Sequence, residues 1–177
     1  MDDVVARIMD SNNWPNIELP ENLELLNELA DESFSEQPFS GMLAAALMYH
    51  QLIEAMCLHL LDNCRFFIQL SIYPATIQYA IPQNKMLGSY VSALRENVSF
   101  PNKNVFLDKV MAFNAFRNEV IHGMRRNNLE EISDSMRNVK SKFDEIYDLY
   151  NEIADYFRVA FHGFKKDTFL DEYASDV

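Results

Sequence analysis

Glycine occurs four times in 177 residues and proline six times. So sparse a supply of turn formers excludes a protein of many short strands joined by tight turns, and favours long helices. Cysteine is scarcer still: Cys57 and Cys64 are the only two, seven apart in what reads as one helix. At ~1.5 Å of rise per residue their Cα atoms stand about 10 Å apart, too far for a disulfide, so they read as reduced core thiols of a cytoplasmic protein. Positive charge is also in deficit, with 15 Lys and Arg against 27 Asp and Glu and a formal net charge of −12. This argues against broad, non-specific nucleic-acid binding and confines any RNA contact to a small basic site. The longest apolar run, "GMLAAALMY", falls well short of the ~20 residues of a membrane span. The opening "MDDVVARIMD" has neither the basic region nor the apolar run of a secretory signal, so no membrane association is expected.

What is present is apolar bulk. Hydrophobic residues make up 49% of the chain, with 13 Phe, 8 Tyr and 9 Met, enough for a substantial core in one domain. "PENLELLNELADESF" predicts a short amphipathic helix starting near Pro20 or Glu21, with Leu23, Leu26 and Leu29 on one stripe. From Ser40, a candidate N-cap, to about Phe67 runs a segment rich in Ala, Leu and Met and apolar nearly all round, which predicts the central helix of a bundle. Pro74 and Pro82 interrupt "IQLSIYPATIQYAIPQNKM", where irregular or short helical structure is expected. "KMLGSYVSALRENV" resumes a helical pattern and "SFPNKN" reads as a loop. In "VFLDKVMAFNAFRNEVIHG", Val105, Phe106, Val110, Phe113, Phe116, Val120 and Ile121 suit an amphipathic helix ending at Gly123. A last helix is expected from Asn128, its N-cap with Glu131 as partner, through to about Phe161, with Gly163 as its stop. Sustained strand alternation is absent. The expected fold is all-α, an up-and-down bundle of about four or five main helices. Residues 1–39 form an N-terminal segment with a short helix, 40–163 the bundle, and 164–177 an acidic tail.

Against this background one stretch stands out, "FRNEVIHGMRR" at 116–126. His122 falls in the last turn of its helix, where the negative end of the helix favours its imidazolium. Asn118 lies four residues before it, on the same face. Arg117 is offset from His122 by five positions, roughly 140° around the helix. Glu119 lies three before His122, and Arg125 and Arg126 follow in the next turn. Cleaving RNA without a metal needs a base for the ribose 2′-hydroxyl and a cation for the charge that builds on the phosphate. An imidazole supplies the first, a step typically worth ~100- to 10,000-fold in rate, and a guanidinium the second. An adjacent amide orients either one. Arg117, Asn118 and His122 supply these three parts. The same residues also fit an ordinary helix end, and in a chain with eight arginines and four histidines an Arg-to-His spacing of this size arises by chance at roughly even odds.

A long apolar helix, then a helix ending in "AFRNEVIHG", then a further long helix resembles the HEPN superfamily of small helical-bundle proteins. Its signature is an arginine, usually followed by a polar residue, then four to six positions to a histidine, matched here by Arg117, Asn118 and His122. The likeness covers roughly residues 40–160. It implies a four-helix core and a symmetric homodimer whose two motifs face each other, the activity being that of a metal-independent endoribonuclease of the toxin or RNA-processing type. Other members implied by the likeness are non-catalytic dimeric regulators, scaffolds or nucleotide-binding domains. One toxin subgroup has a tyrosine two residues after the histidine, modified by a partner nucleotidyltransferase that acts as antitoxin. This chain has Met124 there, which puts that mode of control in doubt. Two subunits would bring both Arg117 and both His122 around one phosphate despite their divergence on a single helix. Arg125 and Arg126 would widen the cationic pocket for single-stranded or looped RNA.

Other clusters yield less. His50, Glu54 and Cys57 share a face of the long helix and could form half a metal site, but read better as a polar pair in or near the core with Cys57 as filler. Glu54 and Glu119 are candidates to support the motif. Glu119-x-x-His122 is a single copy of an element that di-metal bundles use twice, so neither a metal nor a cofactor is assigned. Arg158, His162, Lys165 and Lys166 read as a helix end, with a secondary RNA contact as the alternative.

Overall fold

The computed structural model describes residues 6–8, 10, 14, 21–35, 39–76, 81, 86–124 and 129–167, with the side chains of 21, 129 and 162–167 left aside. The described residues form six helices of note: α1 (Glu21–Ser35), α2 (Phe39–Ile72), α3 (Leu87–Asn97), α4 (Lys103–Gly123), α5 (Leu129–Met136) and α6 (Val139–Asp167). The protein is an all-α helical bundle.

Its axis is α2, 34 residues long, against which each of the other five helices packs. A helix can serve as a hub only if it is apolar on nearly every side. Tyr49, Leu52, Ile53, Met56, Cys57, Leu60, Leu61 and Phe66 are all fully buried along it. Burying each large apolar side chain stabilises the fold by roughly 1.5–3 kcal/mol. By length and composition α2 would also suffice to cross a membrane, but half of its most apolar window is buried within the bundle, as in the core helix of a soluble protein.

The core contains more than α2 to α6. Ile8, Trp14 and Ala30 belong to it as well, and Trp14 meets Phe66 of α2 edge-on at 5.7 Å. Three helices are tied by a polar network. Tyr49 Oη donates to Asp31 Oδ1 at 2.6 Å, and Lys140 Nζ donates to both oxygens of Asp31 at 3.0 and 3.1 Å and to Asp144 at 3.0 Å. Phe143 stacks on Tyr49 beside it, with ring centroids 4.3 Å apart. Burial lowers the affinity of Lys140 for its proton, but its bonds to Asp31 and Asp144 outweigh burial and raise its pKa.

Several boundaries differ from the sequence expectations. The central helix runs from Phe39 to Ile72, so Ser40 lies inside it, and residues 68–72, expected to be irregular or in short helices of their own, continue this helix. Gln69 and Leu70 are buried there, and burial of this last turn outweighs its β-branched content and the approach of Pro74. In α1, Leu29 is exposed, whereas Leu23, Leu26, Ala30 and Phe34 face the core. Instead of one helix to Phe161 there are two, α5 and α6, separated by a turn at Arg137 and Asn138. Met136 and Val139 on its two sides are both fully buried, while Arg137 and Asn138 in the turn are exposed. The Asn138 carbonyl accepts from Lys142 N at 3.1 Å and opens α6. Gly163 does not stop that helix, which continues to Asp167. The expected N-cap, Asn128, lies outside the described residues. Before α4, Asn102 takes the left-handed conformation (φ 61°) that the "SFPNKN" loop needs in order to turn, and its amide donates to Glu152 on α6 at 2.9 Å.

Candidate functional site

The motif lies in the second half of α4. Along this helix Phe106, Val110, Phe113 and Val120 are buried. Steps of four and three residues carry that stripe from Phe106 to Val110 to Phe113, and the next step falls on position 117 before reaching Val120. Arg117 therefore occupies a core-facing place in the helix, and it is half-buried. The periodicity was readable in the sequence; only the identity of the side chain concealed it.

An arginine so placed must satisfy its donors. Nη1 donates to Oδ1 of Asn118 at 3.1 Å. Nε is buried and has no hydrogen-bond partner. Among the described residues no carboxylate lies within ion-pair distance of Arg117, although Arg7, Arg95, Arg137 and Arg158 all have one. The Asn118 bond thus takes one arm of the fork and leaves the buried Nε with neither a hydrogen-bond partner nor a counter-charge.

His122 is exposed in the last turn of α4, and within one chain no hydrogen bond joins it to Arg117 or Asn118. The helix ends at Gly123 as expected, but not through a left-handed glycine. Met124 at the C-cap is right-handed and donates its N–H to Val120 O, while Gly123 is buried. Arg125 and Arg126 lie outside the described residues.

Glu119 lines a groove of about 200 Å³ between α4 and α5, together with Phe116, Val120, Glu131, Ile132 and Ser135. The Lys142 ammonium sits 4.8 Å from the centre of the Phe116 ring nearby. Glu54 accepts from the backbone N–H of Leu87 at 3.0 Å, taking up one of the free donors at the start of α3, and from Gln51 at 3.1 Å. The link from α2 to the motif helix is made by His50, whose Nε2 lies 3.1 Å from Oδ1 of Asn114. His50 is 6% exposed, and its Nδ1 lies 4.0 Å from Glu54 Oε2. His50 and Glu54 do lie side by side, but at 4.0 Å they are not the hydrogen-bonded pair the sequence suggests; His50 bonds Asn114 instead. The contact to Asn114, 64 residues away, has no local signature and was not foreseen.

Cys57 and Cys64 are buried and free. Burial pushes both thiols up, Cys64 to about 12, so both remain protonated near neutral pH. Among the described residues no three His, Cys, Asp or Glu side chains gather as a metal site. The side chains of His162, Lys165 and Lys166 lie outside the described residues. Comparison with protein-family models, with curated proteins and with solved structures finds no match to this chain.

Proposed function

We propose that this protein is a HEPN-like, metal-independent endoribonuclease that works as a homodimer in the cytoplasm. The observation that carries the reading is Arg117, a half-buried guanidinium without a carboxylate, one arm held by Asn118 and its Nε unpartnered. Keeping a cation in such a place costs stability unless an anion completes it, and an RNA phosphate has the matching pair of oxygens.

In the proposed reaction His122 takes the proton of a ribose 2′-hydroxyl. The 2′-oxygen attacks the adjacent phosphorus and the bond from phosphorus to the 5′-oxygen breaks. That oxygen leaves with a proton from the second imidazole of the dimer, giving a 2′,3′-cyclic phosphate and a 5′-hydroxyl. Arg117 stabilises the extra charge on the phosphate as it forms, and Asn118 fixes the guanidinium plane. Arg125 and Arg126, which follow the motif in the sequence, are assigned further phosphate contacts in this reading. As a toxin it calls for an antitoxin partner, with Met124 in place of the tyrosine weighing against a nucleotidyltransferase acting on that residue.

The test is incubation of the purified protein with structured and unstructured RNA in excess chelator. Cleavage is expected, with loss of about 100-fold or more in Arg117→Ala and in His122→Ala. No cleavage of any RNA, or undiminished cleavage by both variants, rejects the proposal.

A second reading is favoured by the groove beside the motif. Glu119 and Glu131 line it, and their charge opposes a polyanion there. A non-catalytic dimeric regulator would hold Arg117 as an interface or ligand contact. Arg117→Ala would then weaken the dimer in sedimentation experiments and leave RNA unaffected.

A further inference from the structure

We propose that His50 is a positioning residue for Arg117 and Asn118, acting through Asn114. This rests on the reading of Arg117 and Asn118 as the phosphate site.

The described polar ties between α4 and its neighbours are unevenly placed. Lys103 donates to the Arg95 and Val98 carbonyls at 3.1 and 2.5 Å, Asp108 pairs with Arg95 at 3.4 Å, and Lys109 pairs with Glu145 at 2.5 Å. All three lie in the first seven residues of the helix. In its second half, besides the Lys142 contact to the Phe116 ring, the described side-chain hydrogen bond to another helix is His50 to Asn114.

The positions make that bond consequential. Asn114 is four residues before Asn118 and three before Arg117, so all three neighbour one another on one side of the helix. Apolar contacts such as those of Phe113 and Val120 are non-directional and tolerate a small rotation of the helix about its axis. A hydrogen bond weakens steeply when misaligned. Turning the helix by about 20° moves its Cα atoms by roughly 0.8 Å at their ~2.3 Å radius, and ~1 Å of displacement at a reacting group can cost about 100-fold in rate.

His50 is suited to hold that angle because it is itself held. It is 6% exposed on the most buried helix of the fold. Beyond its Nδ1 stands Glu54, whose carboxylate is fixed by Gln51 on the same helix and by the Leu87 N–H of α3. With Asn114 Oδ1 facing Nε2, that ring nitrogen is the donor. Held by its burial in α2, His50 thus sets the rotation of the helix that bears the guanidinium through its bond to Asn114.

The experiment reads the Arg117 Nε–H group by NMR, in the full-length wild type, in His50→Gln, and in the double variant His50→Leu/Asn114→Leu. Glutamine keeps a donor near the place of Nε2. The double variant replaces both polar partners with apolar ones, so no buried group is left unpaired and its stability should stay near that of the wild type. A residue important only for stability would therefore be rescued in the double variant. We expect exchange of the Arg117 Nε–H with water to be at least 10-fold faster in the double variant and within about twofold of wild type in His50→Gln. Inorganic phosphate should bind the double variant about 10-fold more weakly, judged by the displacement of the same signal. Unchanged Nε–H exchange in a folded double variant overturns the positioning role. An Arg117 signal that phosphate does not move in the wild type rejects the phosphate-site reading instead, and the exchange rates still decide the role of His50.

Discussion

Arg117 and Asn118 are neighbours in sequence and bonded to each other in space, Nη1 to Oδ1 at 3.1 Å, while the Arg117 Nε beside that bond is buried without a partner. A structural arginine at a helix's core-facing position would be expected to satisfy that donor internally. An unsatisfied buried donor of this kind costs stability. Replacing Arg117 by Met keeps the apolar stem and removes the buried charge. The free protein should become more stable by about 1 kcal/mol in urea unfolding. A loss of 2 kcal/mol or more would mean that the guanidinium is already satisfied within the fold.

Asp31 is the acceptor on which Tyr49 and Lys140 converge. Tyr49 is fully buried, so Asp31→Ala leaves its hydroxyl unpaired, at an expected cost of about 2–3 kcal/mol. Tyr49→Phe removes the hydroxyl and leaves Asp31 its bonds to Lys140, which should cost about 1 kcal/mol or less. Urea melts of the two variants should rank in that order, and the reverse order would contradict the network.

The pH dependence has a definite sign. Cys57, Cys64, Tyr49 and Tyr150 all have pKa values raised from ordinary values of 9.0 and 10.0, burial being the largest cause in each. Lys140 is raised as well, its bonds to Asp31 and Asp144 overcoming burial. The unfolded chain therefore loses these protons at lower pH than the fold does. Their stabilisation is complete below pH ~9 and declines as pH rises, by up to about 1.4 kcal/mol per pH unit for each buried thiol or phenol ionised only in the unfolded state. Unfolding free energies measured at pH 7, 9 and 10 should fall steeply between the last two.

Glu54 takes up the Leu87 N–H at the start of α3, whose own N-cap, Met86, offers no side-chain cap. Glu54→Ala should cost about 1 kcal/mol and speed amide exchange in the first turn of α3. Unaltered exchange there would show that the bond contributes nothing.

How much of this could be read from the sequence depends on the range of the interaction. The helical periodicity of 105–123 and the terminus at Gly123 are local, and they were legible, although the helix begins two residues earlier, at Lys103, inside the expected loop. So was the apolar circumference of the central helix, which made it the hub. The extension to Ile72 was not, because burial of Gln69 and Leu70 comes from the rest of the bundle. Nor was the turn at Arg137 and Asn138, where no glycine or proline marks the break between α5 and α6. At the candidate site, residue types and spacing singled out Arg117, Asn118 and His122, but not that Arg117 stands in the core stripe, since a charge is not counted when apolar positions are. The bond from His50 to Asn114 joins two helices 64 residues apart, beyond any local pattern.

The central claim is that Arg117 acts on a phosphate under attack by its own ribose 2′-hydroxyl. Single-turnover cleavage of one RNA and of its 2′-O-methyl twin, by wild type and Arg117→Ala in EDTA, tests it most directly. The account predicts that wild type cuts only the unmodified strand, leaving a 2′,3′-cyclic phosphate, and that Arg117→Ala does so about 100-fold more slowly. Equal cutting of both strands, or an Arg117→Ala rate equal to wild type, would contradict it.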